Sequence, residues 1–144
     1  MSQTKRVLFV CIGNACRSQM AEGFARTYGS DVLVAASAGL SPAMGVAPDT
    51  MKAMDAKGID LRQQFSKGIR HLGRSQFDLV INMSGVELPP FGAAEIRDWD
   101  VPDPVYLKFA DHCEVRDLIE QMVMTLILEL RKEQRQMGRS APPA

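Results

Sequence analysis

The sequence has no excess of charge of either sign. Its 144 residues include 17 lysines and arginines and 17 aspartates and glutamates, so the formal net charge is zero. A chain without a net positive field has no global attraction for nucleic acid or for an anionic membrane surface. We therefore expect no nucleic-acid partner, and any affinity for an anion must come from a local arrangement of residues.

Long apolar stretches are also absent from the sequence. No uninterrupted hydrophobic run is long enough to cross a bilayer. The first apolar run follows the polar stretch from Met1 to Arg6 and is too short to be a secretory signal. The sequence therefore predicts a cytoplasmic protein that does not associate with a membrane.

Cysteine and histidine are scarce. The three cysteines are Cys11, Cys16 and Cys113, and their uneven spacing does not form the disulfide framework of a secreted domain. The close-paired spacing of zinc ligands is missing as well, so we expect neither a metal site nor a cofactor. His71 and His112 are not near either motif described below, and we predict that they are surface or capping residues.

The order of apolar runs predicts an α/β fold. Hydrophobic residues make up 46% of the chain and charged residues 24%, which is typical of a soluble domain. The sequence indicates a buried strand over 7–10, a helix from Ser18 that stops at Gly29, and a second apolar strand over 32–36. This succession is a right-handed βαβ unit with parallel strands.

The remaining elements complete a small sheet. A third strand is predicted over 77–81, and Ile96 is expected in a short edge strand. An apolar stripe between Val115 and Leu130 predicts a long amphipathic helix packed on the sheet. We expect a single α/β domain over 1–137, with helices on both faces of the sheet, and a flexible C-terminal tail over 138–144.

The segment between the first strand and the first helix has the composition of an anion-binding loop. In open α/β sheets, ligands bind outside the carboxyl ends of the strands. Small residues let successive backbone N–H groups turn toward an anion, and the N-terminus of the helix adds donors and partial positive charge. The loop lacks the Gly-Lys-Ser/Thr ending of nucleotide-binding loops. We predict that an oxyanion is bound by the loop residues Ile12, Gly13, Asn14, Ala15 and Cys16.

The side chains around this loop suggest nucleophilic catalysis. Cys11 would attack the bound oxyanion, and the Arg17 guanidinium can bind two oxygens of that oxyanion. Ser18 can hydrogen bond to the Cys11 sulfur. A general acid is also needed to protonate the leaving oxygen. Asp103, whose backbone is fixed by the following proline, is the preferred candidate, and Asp100 is the fallback. The alternative is that Cys11 is an ordinary buried residue and Arg17 a solvated charge on the helix.

The stretch from Val10 to Ser18 resembles the signature loop of low-molecular-weight protein tyrosine phosphatases and of the arsenate reductases that share their fold. The Ser37-Ala38-Gly39 sequence is similar to the second shared motif, and Asp103-Pro104 to the general-acid motif. The resemblance covers nearly the whole chain. It implies a four-stranded parallel sheet of order 2-1-3-4, a cysteinyl-phosphate intermediate and no metal. It also implies that Asn14 holds the loop by hydrogen bonding, with Ser37 as a supporting partner.

The resemblance leaves two activities open. The stretch from Gln19 to Phe24 is similar to the arsenate reductase branch. The loop over 39–48 lacks the large aromatic residue with which phosphotyrosine enzymes of this fold stack on their substrate. Thioredoxin-coupled reductases carry two further cysteines after the third strand, whereas residues 82–87 contain none. A reductase of this sequence would therefore need an external thiol to release its product.

The intact catalytic set favours a phosphomonoester hydrolase acting on an aryl phosphate or a phosphoprotein. By resemblance, Cys16 would form a reversible disulfide with Cys11 and protect it from overoxidation; the alternative is that Cys16 is a small packing residue. The alternative function is arsenate reduction with an external thiol or a glutaredoxin- or thioredoxin-type reductant. A non-catalytic oxyanion-binding module is a third interpretation.

Overall fold

The computed structural model describes residues 4–92 and 94–140. Along the chain it contains the strands β1 (Lys5–Cys11), β2 (Leu33–Gly39), β3 (Leu79–Asn82) and β4 (Glu95–Asp98). The α-helices are α1 (Arg17–Tyr28), α2 (Pro48–Asp55) and α3 (Phe109–Ser140), and a short 3-10 helix covers Ile69–Leu72. Within the described ranges, no helix has the length and apolar character required to traverse a bilayer.

The four strands form one parallel sheet in the order β2-β1-β3-β4, which confirms the predicted topology. β1 is central, with Cys11 opposite Gly39 of β2 and Val10 opposite Asn82 of β3. β4 pairs with β3 and is the edge strand expected around Ile96. Because parallel strands end at the same edge, the last residues of β1, β2 and β3 meet where ligands bind in such sheets.

β1 is buried on both faces, which explains its continuous apolar sequence. Val7, Phe9 and Cys11 face the larger core cluster, which includes residues from α1, α2 and α3. Leu8 and Val10 face a smaller cluster on the other side of the sheet, where the 3-10 helix and loop residues cover them. The predicted single α/β domain is therefore confirmed, with α1, α2 and α3 packed in the cluster on one face of the sheet and the short 3-10 helix in the cluster on the other.

The last helix is longer than its apolar stripe. The stripe is buried as predicted, with Ile119, Val123 and Ile127 fully inaccessible to solvent. The helix then continues through a polar, helix-favouring stretch to Ser140, so it enters the segment expected to be a flexible tail. Residues 141–144 of that tail lie outside the described residues.

Candidate active site

The loop after β1 turns its carbonyl oxygens away from the space that it encloses. They accept hydrogen bonds of 2.8 to 3.1 Å from backbone N–H groups of the segment 40–47. The donor and acceptor pairs are Leu40 to Cys11, Ser41 to Ile12, Ala43 to Gly13 and Ala47 to Ala15. In a trans peptide the N–H points opposite to the carbonyl oxygen, so the following N–H groups face inward. Those of residues 12–16 donate no hydrogen bond within the part of the chain that the structure describes, which leaves them available to an anion.

Asn14 fixes the shape of this loop. Its backbone has a φ of 50°, in the left-handed region that asparagine tolerates better than most residues. Its side-chain Oδ1 accepts hydrogen bonds from Gln19 Nε2 at 2.8 Å and from the backbone N–H of Lys67 at 3.0 Å. Its Nδ2 donates to Ser18 Oγ at 2.7 Å. Through these contacts Asn14 connects the loop to α1 and to Lys67.

Ser37 has a different partner from the one expected. Its Oγ donates to Glu22 Oε1 at 2.5 Å, and the expected bond to Asn14 is not among the hydrogen bonds of the described residues. The reason is that Glu22, on the second turn of α1, directs its buried carboxylate toward β2. Lys67 Nζ lies 3.9 Å from the same carboxylate and partly compensates its charge. Ser37 therefore contacts α1 rather than the loop itself.

Cys11 is the end point of a buried hydrogen-bond chain. Its Sγ lies 2.9 Å from Ser18 Oγ. Ser18 Oγ accepts a hydrogen bond from Asn14 Nδ2 at 2.7 Å, so the proton of Ser18 remains available for the sulfur. Behind Asn14, Gln64 Nε2 donates to Gln19 Oε1 at 2.6 Å, and Gln19 donates to Asn14. Gln64, Gln19, Asn14 and Ser18 thus form one hydrogen-bonded series of side chains that ends at the Cys11 sulfur.

Arg17 is held with one edge of its guanidinium toward the loop. Its side chain is only 7% exposed, and Nη1 donates to the carbonyl oxygens of Met83 and Val101. Nη2 lies 3.3 Å from Asp103 Oδ2, and the buried Nε has no hydrogen-bond partner among the described residues. Nε and Nη2 form the edge that can bind two oxygens of a tetrahedral oxyanion. The Nη1 contacts therefore orient Arg17 for the bidentate role predicted for it.

The two candidate acids have different surroundings. Asp103 contacts Arg17 through Oδ2 and accepts a hydrogen bond from the backbone N–H of Val105 through Oδ1 at 3.1 Å. Asp100 lines an open cavity of about 730 Å³ beside the carboxyl ends of β3 and β4, which Arg17 also lines. Only Asp103, of these two, has a carboxylate in contact with Arg17. The geometry therefore favours Asp103 as the acid.

Gly39 lies directly behind the loop. A Cβ atom at this position would lie 2.7 Å from the carbonyl oxygen of Ile12, 2.8 Å from the amide nitrogen of Asn14 and 2.9 Å from the carbonyl carbon of Gly13. All three are backbone atoms, so no side chain could move aside. The glycine of the Ser37-Ala38-Gly39 motif thus permits the close approach of β2 and the loop.

Cys16 belongs to a second buried group beneath the loop. It is 3% exposed and forms a side-chain hydrogen bond with Thr50, whose Oγ1 lies 2.9 Å from His112 Nδ1. Burial raises the pKa of the Cys16 thiol to about 11, although the Thr50 hydrogen bond opposes the rise. His112 is 2% exposed, so the prediction that it is a surface or capping residue is wrong. His71 is exposed.

Several residues of the site were not identified from the sequence. Gln19 was noted only for its resemblance to one branch of the family, and Gln64, Thr50 and His112 were not connected with the loop at all. The latter three lie outside any motif, and the fold alone brings them together. Only the polar character of Gln19 and Thr50 at buried helical positions could have drawn attention to them.

A buried cysteine beneath inward-facing backbone N–H groups, with an arginine and an aspartate beside it, is an arrangement suited to nucleophilic attack by the cysteine on an oxyanion. The sequence model of the low molecular weight phosphotyrosine protein phosphatase family matches residues 6–136. The chain belongs to this family.

Its relatives include proteins with different activities. The glutaredoxin arsenate reductase of Synechocystis sp. (strain ATCC 27184 / PCC 6803 / Kazusa) is 36% identical over 130 residues, which cover 88% of this chain and 98% of that protein. A solved structure described as an arsenate reductase in the phosphate binding state superposes with a TM-score of 0.81 at 36% identity, covering 88% of this chain and 99% of the other. The YwlE arginine phosphatase from Geobacillus stearothermophilus has a TM-score of 0.76 at 21% identity, over 97% of this chain and 99% of the other. That last similarity shows a common fold.

Proposed function

We propose that the protein is an arsenate reductase in which Cys11 attacks arsenate bound by the loop. The observation that carries this proposal is the 36% identity to an arsenate reductase over 98% of that relative's length. The relatives thus support the alternative activity rather than the phosphomonoester hydrolase that the sequence favoured. The segment 40–47 agrees with it, since it lacks an aromatic side chain and exposes Met44 where an aryl substrate would need a stacking partner.

In the first step, the inward N–H groups of residues 12–16 and the free edge of Arg17 bind the tetrahedral arsenate. The Cys11 thiolate attacks arsenic and forms a sulfur–arsenic bond, and one oxygen leaves as Asp103 protonates it to water. Ser18 holds the sulfur in line by its hydrogen bond at 2.9 Å. This step needs the same groups that phosphoryl transfer to a cysteine would need, because phosphate and arsenate share shape and charge.

In the second step, a thiol attacks the Cys11 sulfur and the sulfur–arsenic bond breaks. Its electron pair stays on arsenic, which leaves as arsenite, and the two sulfurs become a disulfide. The chain has three cysteines and none over 82–87, so reduction of this disulfide requires an external thiol. A small thiol or a glutaredoxin- or thioredoxin-type protein would supply it.

The test is arsenite formation from arsenate by the purified protein, with glutathione and glutaredoxin or with thioredoxin as reductants. Hydrolysis of p-nitrophenyl phosphate is measured in parallel, and Cys11→Ser is the control for both reactions. We expect thiol-dependent arsenite formation that the Cys11→Ser variant lacks. Fast ester hydrolysis without arsenite formation under any reductant would contradict the proposal.

An aryl-phosphate hydrolase is the second candidate, and one observation favours it. Tyr106, three residues after Asp103, has a φ of 67° and a side chain that is 98% exposed. Non-glycine residues in the left-handed region are uncommon, and they cluster at functional sites. An exposed aromatic ring three residues after the proposed general acid is suited to stack on an aryl leaving group. The ester hydrolysis assay decides between the two candidates, with Tyr106→Ala as the variant that an aryl substrate would detect.

A further inference from the structure

Arg17 is oriented by a backbone carbonyl that a neighbouring side chain holds in place. Its Nη1 donates to the carbonyl oxygen of Met83, the residue that follows β3. We propose that Asn82, the last residue of β3, is a positioning residue that fixes this carbonyl and so directs the oxyanion-binding edge of Arg17 into the loop. The inference rests on the proposed function in one respect, namely that Arg17 binds the substrate oxyanion.

The Asn82 side chain holds the peptide unit that joins Met83 to Ser84. Its Oδ1 accepts a hydrogen bond from the backbone N–H of Ser84 at 3.0 Å, which closes a turn over Met83. In a trans peptide the N–H and the carbonyl oxygen point in opposite directions. Because the Ser84 N–H points to Asn82, the Met83 carbonyl of the same peptide points away from Asn82 and toward Arg17 Nη1. One side-chain acceptor therefore sets the direction of the carbonyl that Arg17 uses.

The Asn82 amide is also fixed through its nitrogen. Nδ2 donates to the carbonyl oxygen of Val86 at 2.7 Å and to Asp98 Oδ1 at 2.9 Å. Asp98 is the last residue of β4 and lies opposite Asn82 in the parallel pairing of β3 and β4. The backbone carbonyl of Asn82 accepts a further hydrogen bond from the N–H of Trp99 at 2.8 Å. Since Asn82 is buried, these bonds are shielded from water and define one orientation of its amide.

The other contacts of Arg17 are longer. The Val101 carbonyl oxygen lies 3.2 Å from Nη1, and Asp103 Oδ2 lies 3.3 Å from Nη2. Asp103 also gives up its charge when, as the proposed general acid, it carries a proton. The Met83 carbonyl is thus the nearest of these partners and one whose charge state cannot change. Its direction, and hence Asn82, determines how the guanidinium faces the loop.

The test is a double-mutant cycle on phosphate affinity, measured by calorimetric titration with inorganic phosphate. Asn82→Ala removes the acceptor for the Ser84 N–H, and we expect phosphate affinity to fall about tenfold, as for weakening of one of two charge-assisted hydrogen bonds. In an Arg17→Lys protein, whose ammonium has no planar edge to orient, the same change should alter phosphate affinity less than about twofold. Losses that multiply in the double variant would show that Asn82 acts independently of Arg17 and would overturn the inference.

Ser84→Ala is the matched control within the same turn. The Ser84 hydroxyl donates to Asn82 Oδ1 at 2.6 Å and accepts from the N–H of Val86 at 3.2 Å, whereas the backbone N–H that fixes the Met83 peptide remains in the variant. We expect Ser84→Ala to bind phosphate as wild type does. If it loses as much affinity as Asn82→Ala, the site depends on the turn as a whole and the assignment to Asn82 is wrong.

A second pair of variants reaches Asn82 from β4 and keeps the test decisive if Asn82→Ala does not fold. Asp98→Ala removes one of the two acceptors of Asn82 Nδ2, whereas Asp98→Asn retains an oxygen acceptor. Because both variants remove the same charge, their comparison isolates the hydrogen bond. We expect Asp98→Ala to bind phosphate about three- to fivefold more weakly than Asp98→Asn. Equal affinities in two folded variants would contradict the inference.

The outcomes separate the inference from the proposed function. If the wild-type protein does not bind phosphate, the oxyanion site is wrong and both proposals fail. If wild type binds phosphate and forms arsenite with an external thiol, and Asn82→Ala matches it in both measurements, the reductase stands and the positioning role of Asn82 is wrong. Thermal unfolding of each variant verifies that it is folded.

Discussion

Replacement of Gly39 by alanine should damage the anion-binding loop without replacing any residue that contacts the anion. The added Cβ would lie 2.7 Å from the carbonyl oxygen of Ile12 and 2.8 Å from the amide nitrogen of Asn14. Favourable van der Waals contacts between such non-bonded atoms begin at about 3.5 Å. The loop and β2 must therefore separate by several tenths of an ångström, because backbone atoms cannot relieve the contact by a change of side-chain rotamer.

The free-energy cost of this separation can be estimated from the known cost of overpacking. Overpacking of a tightly packed site costs about 1 to 3 kcal/mol. Because the displaced atoms include an inward-facing N–H group, we expect part of this cost to appear as weaker anion binding. If the whole cost appeared there, phosphate affinity would fall by about 5- to 150-fold. If it were divided between binding and folding, the melting temperature would fall as well.

The assay is calorimetric titration with phosphate, used as an unreactive analogue of arsenate, together with thermal unfolding. Gly45→Ala is the matched control, since an added Cβ there meets no atom within 4 Å although the residue belongs to the segment 40–47. We expect Gly45→Ala to match wild type in both measurements. If Gly39→Ala binds phosphate as well as Gly45→Ala does, the close approach of β2 and the loop does not shape the site.

Three further predictions concern side chains. Asp103→Asn should slow formation of the Cys11 adduct by about 10²- to 10⁴-fold in rapid-mixing experiments, and an equal loss in Asp100→Asn alone would reverse the assignment of the acid. Arg17→Lys keeps the charge but cannot bind two oxygens, so phosphate affinity measured by calorimetry should fall at least about tenfold. Gln64→Ala removes the far end of the chain that leads to Cys11, and we expect a loss of about fivefold in adduct formation, as for one neutral hydrogen bond. An unchanged rate would show that the chain ends functionally at Gln19.

Much of the fold could be predicted because its signals are local. The continuous apolar run of β1 and the stripe of α3 each follow from burial of neighbouring residues in the chain. The segment expected to be a tail overlaps the end of α3, which continues to Ser140, because a single glycine costs a helix only about 1 kcal/mol. The strand order, by contrast, came from resemblance, since sequence periodicity does not specify which strands pair.

The residues of the site also differ in whether their signals are local in the sequence. The loop from Cys11 to Ser18 is contiguous, so its composition alone indicated an anion cradle. The partner of Ser37 could not be predicted, because a hydrogen bond between separate elements depends on how they pack. The burial of His112 could not be predicted for a similar reason. A single polar residue before an apolar stripe does not indicate that Thr50 will contact it in the core. The choice of activity also depended on the relatives, because both chemistries use the same cradle.

Residues 39–48 were expected to form a surface loop, and such loops ordinarily tolerate insertions and deletions. Within this loop, four backbone N–H groups of the segment 40–47 each donate to a particular carbonyl oxygen of the anion-binding loop. One added or deleted residue within the segment would shift that assignment and leave carbonyl groups of the loop unpaired. The length of this exposed segment is therefore constrained by the anion site as strictly as the length of a buried strand, while its outward side chains, such as Met44, are free to vary.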